Sequence, residues 1–94
     1  MRTLIWSKTF IRTIKDLKHR NPQLLLDLQD ALNILVADPF EPHLKTHKLK
    51  GKMSGLYSCS VGYRHRLIFE LIDKNESNES AIFLITLGTH DEVY

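Results

Sequence analysis

The feature that most restricts what this chain can fold into is a pair of dipeptides, Asn21-Pro22 and Asp38-Pro39, that bracket a run of helical periodicity. An asparagine side chain accepts hydrogen bonds from the free amides of a first helical turn, and proline is tolerated at the first helical position, so Asn21-Pro22 reads as a helix start. Leu24, Leu28, Ala31, Leu32 and Leu35 continue on one stripe until Pro39, which lacks the amide that a further turn requires. Upstream, Phe10, Ile14 and Leu17 recur at the same spacing with Ile11 beside them, while Lys8, Arg12, Lys15 and Lys18 fall mainly on the other side. This predicts an amphipathic helix of about three turns. Ser7 is its cap, after a short apolar and β-branched run from Arg2 to Trp6 that reads as a strand. Two helices so tightly connected form an antiparallel hairpin.

Beyond Pro39 the pattern changes. Phe40 to Gly55 contains Pro42, Gly51 and Gly55 and reads as an ordered surface loop. Leu56 to Val61, Arg64 to Ile72 and Ala81 to Thr89 are rich in branched and aromatic residues and read as three strands. Gly62-Tyr63 suits a hairpin link, and the polar run Asp73 to Ser80 reads as an exposed loop. The expected fold is α+β: an N-terminal strand and a two-helix hairpin packed on one face of a mostly antiparallel, twisted sheet of about four strands. The other sheet face is then free to be a site. With 94 residues, 43% apolar and 26% charged, residues 1–94 form one domain.

The lone Cys59 has no partner for a disulfide or a CxxC metal motif, which fits a reducing cytoplasm. The opening Met1 to Ser7 has too short an apolar run for a signal peptide, and no stretch approaches the roughly 20 apolar residues of a membrane span. The expectation is a soluble cytoplasmic protein with no membrane partner. Net charge is only +2, but its distribution is uneven. From Pro42 to Phe69 there is no acidic residue, while Lys45, Lys48, Lys50, Lys52, Arg64 and Arg66 fall there with His43, His47 and His65. Basic charge concentrated in this way is suited to phosphates.

RNA can be cut without a metal by turning its own 2′-hydroxyl on the adjacent phosphate. That reaction needs a base, an acid for the departing 5′-oxygen, and cations for the charge on phosphorus. The basic window, with His90 and Tyr94 after it, holds residues of these types. Period-two alternation puts Arg64 and Arg66 on one sheet face, and two arginines there should meet solvent or a polyanion because burying unpaired charge is costly. His43 and His47, four apart, do not read as a zinc pair, because their proline-rich surroundings provide neither a helix nor further ligands. No metal or cofactor is expected.

His47-Lys48-Leu49-Lys50-Gly51, Ser54-Gly55-Leu56-Tyr57-Ser58, His65-Arg66-Leu67-Ile68-Phe69 and Gly88-Thr89-His90-Asp91-Glu92-Val93-Tyr94 together resemble the RelE/ParE toxin superfamily, above all its YafQ and YoeB branches. The resemblance covers essentially the whole chain, since the order of strand, helical hairpin and sheet also matches. It implies a ribosome-dependent ribonuclease acting on messenger RNA, leaving a 2′,3′-cyclic phosphate and a 5′-hydroxyl. Carried over by position, it makes His47 a candidate general base, Arg66 the phosphate-stabilising arginine and His90 a candidate general acid. Tyr94 matches the aromatic that stacks on or orients the substrate. Lys45, Lys48, Lys50, Lys52 and Arg64 are candidate RNA contacts. The chain departs from YafQ-like members at Ser60, where they carry a second histidine, and at Arg64, where they carry an aspartate. Lys48, Lys50 and Lys52 are instead reminiscent of the RelE branch. The resemblance also implies a cognate antitoxin, an acidic and partly disordered chain that folds on binding and covers the basic site.

Plainer readings stand beside these. The lysine run is a solvated loop if nothing binds it, and a salt bridge to Glu70 explains Arg64 as well as an RNA contact does. His65 alternates away from Arg66 and reads as packed. Cys59 reads as a small buried apolar residue, Tyr57 and Tyr63 as partial core, and Trp6 as core. The segment holding His90 and Tyr94 reads either as part of the site or as a tail docked on the sheet. Two alternatives of other classes are a ParE-like, non-enzymatic inhibitor of DNA gyrase and a nucleic-acid-binding module without catalysis.

Overall fold

The computed structural model describes residues 2–74 and 79–94. In chain order the elements are β1 (Thr3–Trp6), α1 (Lys8–Arg20), α2 (Pro22–Ala37), β2 (His47–Lys48), β3 (Tyr57–Val61), β4 (His65–Lys74), β5 (Glu79–Thr89) and α3 (His90–Val93). The predicted helix starts are built as read. Ser7 Oγ accepts from the Phe10 amide at 3.0 Å and Asn21 Oδ1 from the Leu24 amide at 3.1 Å. Pro22 occupies the first turn of α2, and Asp38 closes it with its amide on the Ile34 carbonyl.

The strands form one sheet in the order β1-β5-β4-β3-β2, with β1 parallel to β5 and the other neighbours antiparallel. Both helices cover one face. Phe10, Leu17, Leu24, Leu28 and Leu35 from the helices meet Cys59, Val61, Leu67, Phe69, Ile82, Leu84 and Leu87 from the sheet in a single buried cluster. Truncating one such leucine to alanine costs about 2–5 kcal/mol, from the lost transfer energy and the cavity left behind. No helix among the described residues is long and apolar enough to cross a membrane.

A β-bulge sets which residues of β5 face outward. The register steps from Ile68↔Thr86 to Phe69↔Leu84, so Ile85 is the extra residue. Its carbonyl accepts from the Ser7 hydroxyl at 2.8 Å, so the cap of α1 also ties that helix to the bulge. Because of the extra residue both Leu84 and Leu87 reach the core, and Thr86 and Gly88 turn to the face opposite α1 and α2.

The expected α+β arrangement of two helices on one face of a mostly antiparallel sheet is found, and several details within it differ. The sheet has five strands, because His47 and Lys48, inside the expected loop, pair with Ser58 and Tyr57; two residues are too few to leave an alternation signal. Asp73 pairs with Ser80 and Lys74 with Glu79, so the ends of the expected polar loop are strand. Backbone pairing there continues past the core and needs no apolar side chains; residues 75–78 lie outside the described residues. Arg64 is in the turn before β4 rather than on a strand. Tyr63, in that turn, is fully exposed, and Trp6, read as core, is 42% exposed on the edge strand, leaning on Phe10 at a ring separation of 5.2 Å.

Candidate active site

Strand alternation and register carry one row of side chains across the face opposite α1 and α2. His47 on β2 lies opposite Ser58 on β3, Ser58 opposite Ile68 on β4, and Ile68 opposite Thr86 on β5. The next row on the same face runs Ser60, Arg66, Gly88. Ser58 and Ile68 are fully buried although no long helix covers them. The cover is the segment after β5: the Tyr94 hydroxyl donates to Ser58 Oγ, two strands away. Strands lie about 4.8 Å apart, so the segment from the end of β5 to the Tyr94 hydroxyl spans roughly 10 Å, passing over β4 to reach β3.

Two devices seat that segment. Glu92 Oε1 accepts from the Thr89 amide at 2.8 Å while the Thr89 side chain receives the Glu92 amide, a reciprocal capping box that closes the single turn α3. Those hydrogen bonds hold the Glu92 carboxyl below its ordinary range. Gly88 supplies the clearance beneath. A Cβ there would stand 2.9 Å from Val93 Cγ1 and 3.1 Å from Glu92 Cβ, so only glycine lets α3 lie against the strand. On this base the His90 ring packs edge-on against Tyr94, centroids 4.5 Å apart, with its Nδ1 3.6 Å from Asp91 Oδ1.

His47 is exposed, and its Nδ1 lies 3.1 Å from the Lys45 carbonyl. A carbonyl only accepts, so Nδ1 carries the proton and Nε2 presents its lone pair in the neutral ring. Lys45 adopts a left-handed φ of 53°, closing the 3₁₀ turn Pro42–Leu44 and reversing the chain toward β2. Arg66 is half-buried and donates to the His65 carbonyl at 3.1 Å. His47, Arg66, His90 and Tyr94, drawn from two strands, from α3 and from the residue that follows it, are thus brought onto one face.

The remaining candidates divide. Lys45 lies two residues before β2, and Lys50 and Lys52 follow it, all three exposed at that sheet edge. Lys48 alternates to the face opposite His47, beside Tyr57, which packs on the core. Arg64 is corrected most: it does not share a face with Arg66 but lines a groove with Asn21, Gln23 and Asp27 at the helical hairpin. His65 faces the helix side in a groove of about 250 Å³ with Thr13, Asp16 and Glu92. His43 is tied to Glu41 at 2.8 Å, which raises its pKa and lowers that of Glu41. Burial pushes the Cys59 thiol up to about 12, against a small opposing pull from the Arg66 charge. Among the described residues no three His, Cys, Asp or Glu are grouped to hold a metal ion.

A groove of about 270 Å³ formed by Arg2, Pro39, Phe40, Leu71 and Asp73 lies away from these residues and contains none of the candidates. Sequence reasoning missed Ser58, Gly88 and the capping box. The last had a readable signal in the Thr89-x-x-Glu92 spacing, whereas Ser58 had none.

Over residues 2–94 the chain matches the family described as bacterial toxin of type II toxin–antitoxin system, YafQ. Among solved structures it is similar to YafQ from E. coli strain BL21(DE3), with a TM-score of 0.78, 21% identity and coverage of 100% of this chain and 99% of that one. It is also similar to a YoeB/ParE toxin from Agrobacterium tumefaciens, with a TM-score of 0.80, 19% identity and coverage of 94% and 98%. A third similarity is to the E. coli DinJ–YafQ toxin–antitoxin complex, with a TM-score of 0.76, 21% identity and coverage of 99% and 97%. No curated protein matches the chain by sequence.

Proposed function

Since the chain belongs to the YafQ family of bacterial type II toxins, we propose that the face carrying His47, Arg66, His90 and Tyr94 cuts messenger RNA on the ribosome without a metal ion. The protein is the toxin of a toxin–antitoxin pair, and endoribonuclease action on mRNA is the function of its family. The finer reading rests on one observation: a histidine with a committed tautomer, an arginine, a second histidine and a partly exposed aromatic residue share one sheet face.

In this reading His47 Nε2 takes the proton of the 2′-hydroxyl as its oxygen bonds to phosphorus. The P–O5′ bond breaks, and His90 gives a proton to the departing 5′-oxygen. The products are a 2′,3′-cyclic phosphate and a 5′-hydroxyl, with no net gain or loss of atoms. Arg66 meets the charge that grows on the phosphoryl oxygens. Tyr94 offers its ring to a base, and Lys45, Lys50 and Lys52 hold the flanking backbone. Lys48 and Arg64 face elsewhere and contribute to longer-range attraction only. A cognate antitoxin silences the protein in the cytoplasm by covering this face.

The test is a ribosome-bound message carrying a 2′-deoxynucleotide at the cleavage position beside its ribose counterpart. The ribose message is expected to be cut to 5′-hydroxyl ends and the deoxy message to remain whole. Equal cutting of both, or 5′-phosphate ends, contradicts the 2′-hydroxyl mechanism.

A further inference from the structure

Ser58 is a polar residue with no exposed surface, set between His47 on β2 and the buried Ile68 on β4. A buried hydroxyl is costly without a partner. Its partner is 36 residues away: Ser58 Oγ accepts from the Tyr94 hydroxyl. Tyr94 needs such an anchor. The helix that delivers it is a single turn, His90–Val93, too short to hold its own shape, and the capping box fixes only its near end. The bond to Ser58 fixes the far end, directly beside the register position of His47. Arg66 lies one row away on the strand the ring crosses. Tyr94 as a residue nevertheless remains 44% exposed.

We propose that Ser58 is a positioning residue for RNA cleavage: by accepting from the Tyr94 hydroxyl it holds the ring as a fixed platform between His47 and Arg66. The base next to the scissile phosphate stacks on that platform. Freed from Ser58, the ring swings about its short helix, and the nucleotide loses its alignment with His47 Nε2. This role rests on the nuclease reading above and adds to it a residue whose own hydroxyl never touches RNA.

The experiment is a double-mutant cycle on single-turnover cleavage of a ribosome-bound message at saturating toxin. The proteins are wild type, Ser58→Ala, Tyr94→Phe, the double variant and Ser58→Thr. Ser58→Ala and Tyr94→Phe are each expected to slow cleavage about tenfold. The double variant should be no slower than the slower single one, because both remove the same bond. Ser58→Thr, which keeps the acceptor, should recover most of the rate. A purely structural role for Ser58 gives losses that multiply in the double variant; that result, or Ser58→Ala at the wild-type rate, overturns the positioning role and leaves the nuclease reading intact. A wild-type protein that cuts no RNA overturns both.

Discussion

His47 donates from Nδ1 to the carbonyl of Lys45 over 3.1 Å, two residues back along the chain. The bond uses the nitrogen that would otherwise compete for the proton and leaves Nε2 as the basic atom. His47→Ala is therefore expected to slow cleavage by about 10²–10⁴-fold, the usual contribution of a positioned general base. His47 is exposed, so the melting temperature should stay close to that of the wild type. Cleavage within a few-fold of wild type in this variant removes His47 from the mechanism.

Gly88→Ala tests the seating of α3. The added methyl would meet Val93 Cγ1 at 2.9 Å and Glu92 Cβ at 3.1 Å. The short helix must lift, carrying His90 and Tyr94 with it, so cleavage should fall by at least about tenfold and stability by about 1–3 kcal/mol. Thermal unfolding and a cleavage assay read the two effects. An alanine variant with unchanged activity would show that the close approach of α3 is unnecessary.

Acid should loosen the same segment. The Glu92 carboxyl is held below its ordinary value of 4.5 chiefly by the Thr89 amide and then by the Thr89 side chain. A group with a depressed folded pKa stabilises above its unfolded value, and that contribution is lost as pH falls through the folded value. Amides of α3 are thus expected to lose hydrogen-exchange protection below pH 4.5, with intrinsic exchange rates taken into account, ahead of those in the sheet. Glu92→Gln should flatten this dependence. Identical acid profiles for wild type and variant would contradict the capping account.

Cys59 should be chemically silent in the folded protein. It is fully buried, and that burial pushes its thiol up to about 12. Iodoacetamide at neutral pH is expected to leave native protein unlabelled and to label it once it is unfolded. Labelling of the native protein at the rate of a free cysteine would contradict the packing beneath Arg66.

Much of the fold was legible because local chemistry and periodicity agreed. Ser7 and Asn21 announce helix starts, and their side chains make the expected bonds. The alternation through β3 and β4 correctly separates Arg66 from the core residues Leu67 and Phe69. What escaped reading was set by distant or very short structure. Two paired residues make β2, and the bulge at Ile85 has no glycine or proline to mark it. The Ser58–Tyr94 bond joins positions that no spacing rule connects. The pairing of Arg64 with Arg66 failed because alternation holds only inside a strand, and Arg64 still belongs to the turn that starts at Gly62, with φ of 61°, while β4 begins at His65. Of the proposed site, the residue types and the basic window were readable, whereas their convergence depended on strand order and on how α3 folds back.

The most direct test of the central claim is to induce the protein in cells without its antitoxin and map new 5′ ends on a translated message, comparing wild type with His90→Ala and Arg66→Ala. The account predicts cuts that follow the reading frame and carry 5′-hydroxyls in wild type, with both cutting and growth arrest lost in the two folded variants. Undiminished cutting by folded His90→Ala and Arg66→Ala, or growth arrest by wild type without any cuts, would contradict it.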